Sequence, residues 1–261
     1  MALPQPGESS TALVTGASAG IGEQLARALS ALGHHVTLVA RRAERLKSLA
    51  AELQDASVIP TDLTDAPSRE ALAAAVDGGG RAVEVLVNCA GIGVYSPFCQ
   101  SDRPRELEQV RLLAEAPMDL MHRWLPGMVD RRRGAVINIS STSGFQALPY
   151  NAGYAAAKSY LLLLSEALHA EVAEFGVSVT AVCPGPVPTE FQHVNDAAFA
   201  KKLPKAVWVT AERVAQDALR GADQGTRVVV PGGILARAAF APNRYAPRGL
   251  ALAVSKRIMA R

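Results

Sequence analysis

Residues 15–22 read Thr15-Gly16-Ala17-Ser18-Ala19-Gly20-Ile21-Gly22 (TGASAGIG), with glycines at positions 16, 20 and 22. Upstream, Thr11–Val14 is apolar enough for a buried strand. Downstream, Ile21, Leu25, Ala28, Leu29 and Leu32 fall on one face of a 3.6-residue period, and Gly33 ends the pattern. The stretch is therefore a strand, a glycine turn and an amphipathic helix. Gly16 permits a tight turn out of the strand. Gly20 and Gly22 let a diphosphate approach the backbone and let the helix pack close to the sheet. The helix N-terminus then offers free N–H groups and the positive end of its dipole to phosphate oxygens. A glycine trio alone also fits a tightly packed turn. Its place between a first strand and an amphipathic helix points to dinucleotide binding.

The same alternation continues outward. Apolar runs at Val36–Ala40, Val58–Thr61, Val83–Val87, Ala135–Ile139, Val177–Val182 and Arg227–Val230 read as six further strands. Between them the spacing predicts helices over Ala43–Leu53, from Pro67 to about Val76, from about Asp102 to Asp130 with interruptions near Pro117 and Pro126, over Asn151–Phe175, and over Ala211–Leu219. This rhythm predicts an α/β protein, a single doubly wound Rossmann-type domain over residues 1–261, with a seven-stranded parallel sheet and helices on both faces. The stretch 189–209 follows no strong period and reads as a lid-like segment.

Composition narrows the function classes. Of 261 residues, 49% are hydrophobic and 20% charged, so the chain can bury a core and is not a disordered or fibrous sequence. No apolar run approaches the ~18 residues of a spanning helix, and the N-terminus lacks the basic and apolar regions of a signal peptide. Three well-separated cysteines, Cys89, Cys99 and Cys183, do not make a disulfide framework and lack metal-ligand spacing, so no metal site is expected. A soluble protein of a reducing compartment, the cytoplasm, is the expectation. The net charge of +3 is concentrated late: residues from Ile234 onward hold six basic side chains and no acid. Aromatics are not interleaved with the basic residues, which argues against a nucleic-acid partner.

Four motifs in order, TGASAGIG, Val87–Gly91 (VNCAG), Tyr154-Ala-Ala-Ala-Lys158 and Pro184–Thr189 (PGPVPT), resemble the short-chain dehydrogenase/reductase family over residues 9 to 232. The resemblance implies a nicotinamide dinucleotide cofactor and a homodimer or homotetramer. It implies cofactor contacts from Gly16, Ser18, Gly20, Ile21, Gly22, Asp62, Leu63, Asn88, Ala90, Gly91, Pro184, Gly185, Val187 and Thr189, with Tyr154 and Lys158 at the nicotinamide ribose. Asp62 matches the family acid that meets the adenine. Asn88 matches a residue supporting the central sheet, and Cys89, in place of the family's second asparagine, reads as a small core residue.

The second strand ends Val39-Ala40-Arg41-Arg42. An acid at Ala40 would hold the ribose hydroxyls of NAD and repel the extra phosphate of NADP. Here Ala40 is neutral, and Arg41 follows with a planar fork suited to a phosphate; Arg42 beside it is a further cofactor-binding candidate. The pair also fits a solvated helix start, although a cation at a helix N-terminus is slightly unfavourable. NADP(H) is the expected cofactor. Ala19 departs from the basic residue that many NADP-using relatives carry before the second glycine.

Tyr154 and Lys158 are four apart and share a helical face. A phenol titrates near 10, and a neighbouring ammonium is expected to lower that value, so that Tyr154 can exchange a proton with a carbonyl or alcohol oxygen. Ser141, thirteen residues before Tyr154, matches the family serine that orients the substrate oxygen; Ser140 is the neighbouring candidate. The expected catalytic set is Ser141, Tyr154 and Lys158. In Leu112-Leu113-Ala114-Glu115-Ala116-Pro117, Leu113 stands where the family carries an asparagine, which implies an altered proton relay. The function this implies is an NADPH-dependent oxidoreductase interconverting a carbonyl and an alcohol on a mostly apolar small molecule. Non-redox use of the same pocket, as a cyclase, isomerase or dehydratase, and a cofactor-binding protein with little catalysis are the alternatives that Leu113 keeps open.

Three further expectations concern surfaces. Val94, Tyr95, Phe98, Phe145, Leu148, Tyr150, Pro186, Val187, Phe191 and Trp208 are candidate pocket walls. Leu161, Leu164, Leu168 and Val172 are expected as an exposed pairing face. The basic segment 234–261 reads either as a helix packed beside the pocket or as one that meets a membrane surface or acidic partner.

Overall fold

A computed structural model describes residues 3–191, 208–233 and 247–259. Seven parallel strands form one sheet: β1 (Ser10–Thr15), β2 (Val36–Ala40), β3 (Ala56–Pro60), β4 (Ala82–Asn88), β5 (Gly134–Ile139), β6 (Val177–Val182) and β7 (Val228–Val229). Their order across the sheet is β3-β2-β1-β4-β5-β6-β7. The chain reverses its winding direction between β1 and β4, which opens a crevice at the carboxyl edge of the sheet.

Alternation along the strands assigns the two cores. On β1, Ala12 and Val14 face one side with Leu25 and Leu29 of α1 (Gly20–Ala31), Leu46 and Leu49 of α2 (Ala43–Glu52), and Val214 and Ala218 from the helix following β6. Leu13 faces the other side, with Leu72 of α3 (Ala66–Gly78) and with Leu120, Met121 and Met128, which follow β4. Those three lie on α5 (Ala116–Asp130), which is preceded by α4 (Arg103–Val110). The long α6 (Ala152–Val172) also packs on this side, through Leu161 and Val172. The helix after β6 is α7 (Ala211–Asp223), and α8 (Arg248–Met259) closes the described chain. The expected α/β sandwich is therefore the observed one.

Several expectations are corrected. β3 begins at Ala56, two residues early, because it pairs in register with all of Val36–Ala40; its terminal Pro60 sits at the end of an edge strand, where a missing donor is tolerated. Leu32 does not join the buried face of α1: it caps the helix and is 52% exposed. The helix expected from Asp102 is broken by one π-helical turn, Arg111–Glu115, closed by the Ala116 N–H on the Arg111 carbonyl. Pro117 has no N–H to return to Leu113, so the regular ladder lapses there; Pro126 lies within α5 without ending it. On α6, Leu161 and Val172 are buried and Leu164 and Leu168 pack against the same core, so the expected pairing face points inward. The exposed stripe instead holds Ala152, Ala156, Tyr160, Leu163 and Ala167. Most of the lid-like stretch, 192–207, and the first part of the basic segment, 234–246, lie outside the described residues.

Candidate active site

The ends of β1 through β6 line one groove of about 530 Å³ along the carboxyl edge. Its floor at one end is the glycine turn. Gly16 has a φ of +68°, and a Cβ there would stand 2.8 Å from the backbone of Ala90. A Cβ on Gly22 would overlap the Gly16 carbonyl oxygen, so Gly22 lets α1 sit against its own loop. Thr15 locks this corner: its hydroxyl donates to the Val87 carbonyl at 3.0 Å and accepts from the Cys89 N–H at 2.9 Å. The first N–H groups of α1 have no intrahelical acceptor, which leaves them for an anion.

Gly16, Ser18, Gly20, Ile21, Arg41, Arg42, Asp62, Leu63, Ala90, Gly91, Pro184, Gly185, Val187 and Thr189 all line the groove, as do Ser141, Tyr154 and Lys158. Gly22 lies beneath it, and Asn88 is buried behind it. The Asn88 amide donates to Asn138 Oδ1 at 2.8 Å, and Asn138 donates to Ser165 Oγ at 2.8 Å, tying β4, β5 and α6 together. Asp62 accepts from the N–H and hydroxyl of Thr64 at 2.9 and 2.8 Å. Arg41 reaches Glu108 at 3.2 Å, while Arg42 donates through Nε and Nη2 to Ser18 Oγ at 3.0 and 2.8 Å. The helix-start arginines thus meet a loop hydroxyl and protein carboxylates, relief that nothing near them in sequence foretells.

At the other end, Tyr154 and Ser141 line the groove together, and Ser141 Oγ accepts from the Ser143 N–H at 3.1 Å. Lys158 Nζ stands 5.7 Å from the Tyr154 ring centroid and donates to the Ile139 carbonyl at 2.7 Å. Ser140 is separated from its neighbour by partner: its hydroxyl donates to the Lys158 carbonyl at 2.8 Å and so holds α6 against β5. The expected lowering of the phenol is reversed in this structure. Burial pushes Tyr154 up to about 12, against the pull of the Ser141 hydrogen bond. Burial also takes Lys158 down to about 8, so the ammonium that was to lower the phenol is itself weakened by the same dry surroundings. The Cys89 thiol is likewise pushed up to about 12 by burial, which keeps it protonated and inert.

Of the expected walls, Tyr95, Leu148, Pro186, Val187 and Phe191 line the groove. Phe145 packs on Leu162 and Cys183 instead, and Phe98 is 66% exposed. Ile92, Gln146, Asn151 and Ser255 line the groove without having stood out in the sequence. Ser255 belongs to α8, 107 residues beyond Leu148, and its hydroxyl donates to the Ala147 carbonyl at 3.1 Å. One side of α8 therefore packs beside the groove at Ser255, while Leu250, Leu252 and Val254 are exposed. No local signal could have placed Ser255 there.

Leu113 sits in the π-helical turn, 1% exposed, with its Cδ2 3.4 Å from where a Gly91 Cβ would be. It borders a small recess of about 10 Å³ shared with Asn88 and Lys158, and does not line the main groove. Glu115, two residues on, turns away to Arg69 at 2.5 Å. Among the described residues no helix is long and apolar enough to cross a membrane.

Comparison with known proteins agrees with this layout. The family model described as short chain dehydrogenase matches residues 10–198. An uncharacterized oxidoreductase of Staphylococcus epidermidis is 32% identical over 194 residues, which cover 74% of this chain and 84% of that protein. A short-chain dehydrogenase from Sphingobium yanoikuyae, solved in complex with NADPH, superposes with a TM-score of 0.79 at 30% identity, covering 88% of this chain and 91% of that one. A 3-oxoacyl-[acyl-carrier protein] reductase from Brucella melitensis with bound NAD gives a TM-score of 0.75 at 26% identity, covering 89% and 93%. The chain belongs to the short-chain dehydrogenase family of oxidoreductases.

Proposed function

We propose that this chain is an NADPH-dependent reductase of a mostly apolar ketone or aldehyde, or the matching alcohol dehydrogenase, with Tyr154 as general acid and base. The observation that carries this reading is that Ser141, Tyr154 and Lys158 line one end of a groove, with Lys158 Nζ 5.7 Å from the Tyr154 ring centroid, while the other end holds Ser18, Arg41 and Arg42. The groove fits a dinucleotide. Its size is that of a cofactor site, and its floor is glycine where a Cβ on Gly16 would meet the Ala90 backbone. The NADPH-bound relative supports the phosphate preference, as does the neutral Ala40 followed by two arginines.

When bound, the nicotinamide supplies or accepts a hydride at the substrate carbon. The chain's own residues manage the proton and the orientation. Ser141 Oγ and Tyr154 Oη converge on the position of the substrate oxygen. In reduction the phenol gives its proton to that oxygen; in oxidation it takes the proton back. Lys158 Nζ stands over the Tyr154 ring, where it would hold the ribose hydroxyls of the cofactor, whose positive charge when oxidised would favour the phenolate. Apolar walls at Ile92, Leu148, Pro186 and Phe191 favour an apolar substrate and exclude water. The test is oxidation of NADPH and of NADH, followed by absorbance, against a panel of apolar ketones and aldehydes. Consumption of NADPH well above NADH supports the reading. Equal use of both overturns the cofactor preference, and no carbonyl-dependent consumption overturns the reaction.

A homodimer or homotetramer is part of the proposal. The stripe Ala152, Ala156, Tyr160, Leu163 and Ala167 leaves α6 with an apolar face, extended by Met118, whose sulfur accepts from Tyr160 Oη at 3.0 Å. Leu163 is 64% exposed at its centre. Leu163→Glu would place a charge in such an interface and is expected to weaken self-association by at least about 100-fold. Sedimentation velocity at micromolar concentration checks this; an unchanged oligomer would exclude this face. We also assign the protein to a reducing compartment such as the cytoplasm, since its three cysteines are few, odd in number and far apart in the sequence.

A further inference from the structure

We propose that Glu190 is a cofactor-selectivity residue: its carboxylate occupies the arginine site that the 2′-phosphate of NADP(H) must claim. The inference rests on the NADPH reading given above and adds to it a residue that competes with the cofactor from within the chain.

The geometry is that of an anion site already filled by the protein. Arg42 turns Nε and Nη2 to Ser18 Oγ, and its remaining nitrogen, Nη1, donates to Glu190 Oε2 at 2.8 Å. Arg45, on the first turn of α2, donates through Nη1 to both oxygens of Glu190, at 2.6 and 2.8 Å. The two arginines follow β2, whereas Glu190 follows β6 and is 148 residues from Arg42. The contact therefore joins the two walls of the groove at the point where Ala40 leaves the ribose end without an acid of its own.

The neighbours of Glu190 lie along the same groove. Thr189 Cγ2 stands 3.0 Å from where a Gly20 Cβ would be, so the chain passes close over the glycine turn. The Phe191 ring lies 5.8 Å from that of Tyr154, centroid to centroid. Thr189, Glu190 and Phe191 thus span from the arginines to the phenol. Arg42 and Arg45 together hold the Glu190 carboxyl down at about 2, so it is a full anion at neutral pH.

Charge decides the exchange. A carboxylate carries one negative charge, whereas a phosphate monoester carries about −1.5 to −2 and presents three strong acceptor oxygens. Glu190, Arg42 and Arg45 are each close to half exposed, and exposed ion pairs of this kind are weak. The 2′-phosphate can therefore displace Glu190, but it binds less tightly than to arginines left open. NAD(H) carries an uncharged hydroxyl at the same place and has no need to displace it. Glu190 thus narrows the advantage of NADP(H) over NAD(H), and frees the Thr189–Phe191 stretch from α2 when NADP(H) wins.

The experiment measures equilibrium binding of NADP⁺ and NAD⁺ by titration calorimetry to the wild-type chain, to Glu190→Gln and to Arg42→Ala. Glu190→Gln keeps the shape of a surface side chain and removes only its charge. It is expected to tighten NADP⁺ about 3- to 10-fold, the equivalent of one or two exposed ion pairs, with NAD⁺ changed less than about twofold. Arg42→Ala is expected to weaken NADP⁺ selectively. If Arg42→Ala does so while Glu190→Gln leaves NADP⁺ binding unchanged or weaker, the competition is wrong and the NADPH reading stands. If Arg42→Ala weakens both dinucleotides alike, or wild type binds NAD⁺ more tightly, the NADPH reading itself falls.

Discussion

Replacing Tyr154 with phenylalanine is expected to lower carbonyl reduction by about 10²- to 10⁴-fold, the range for loss of a positioned proton donor, while NADPH binding changes little. The substitution removes one oxygen and leaves the ring, so the packing against Phe191 and beneath Lys158 is kept. Ser141 Oγ loses the phenol but still accepts from the Ser143 N–H at 3.1 Å, so no buried hydroxyl is orphaned and the melting temperature should hold. Lys158 keeps its bond to the Ile139 carbonyl and hence its place. Turnover and dinucleotide affinity should therefore separate cleanly. Single-turnover reduction with saturating NADPH is the measurement, and near-wild-type rates in this variant would remove Tyr154 from the chemistry.

The second large effect is expected at the glycine turn. In Gly22→Ala the new methyl meets the Gly16 carbonyl, a backbone atom that cannot swing aside as a side chain could. Gly16 is itself held at φ +68° against the Ala90 backbone, so the strain passes into both walls of the phosphate site. Overpacking of this kind costs about 1–3 kcal/mol, which for a chain of this size lowers the melting temperature by roughly 3–10 °C. Dinucleotide affinity should fall by at least about tenfold, because the α1 N–H groups would be carried off their target. Gly78→Ala is the control: nothing lies within 4 Å of its added carbon, so alanine should be neutral or slightly stabilising at the end of α3. Thermal melts and dinucleotide titrations of both variants check the pair. Equal behaviour would mean that Gly22 is only a flexible turn residue.

Sequence alone determined the parts of this protein that depend on short-range pattern. Val36–Ala40 and Val177–Val182 run as strands with the bounds read from their apolar runs, because a strand buried on both faces needs no partner to declare itself. TGASAGIG determined its own turn, since the positive φ of Gly16 and the crowding at Gly22 involve the loop and its immediate neighbours. The spacing of Tyr154 and Lys158 placed both on one helical face, and that face does look into the groove. Tertiary structure decided what periodicity cannot. A helix apolar on more than one side does not say which side meets the sheet, so α6 buries Leu161 and Val172 and exposes Leu163. The π-helical turn at Arg111–Glu115 arises where Pro117 withholds a donor within a packed layer, and it sets Leu113 against Gly91 and away from the groove. The direction of the Tyr154 and Lys158 shifts follows from how deeply both are buried, which spacing on a helix does not measure. The arginines after β2 were legible as cations wanting an anion, but Glu190, 148 residues from Arg42, becomes their partner only because parallel strands bring the exits of β2 and β6 to the same edge of one sheet.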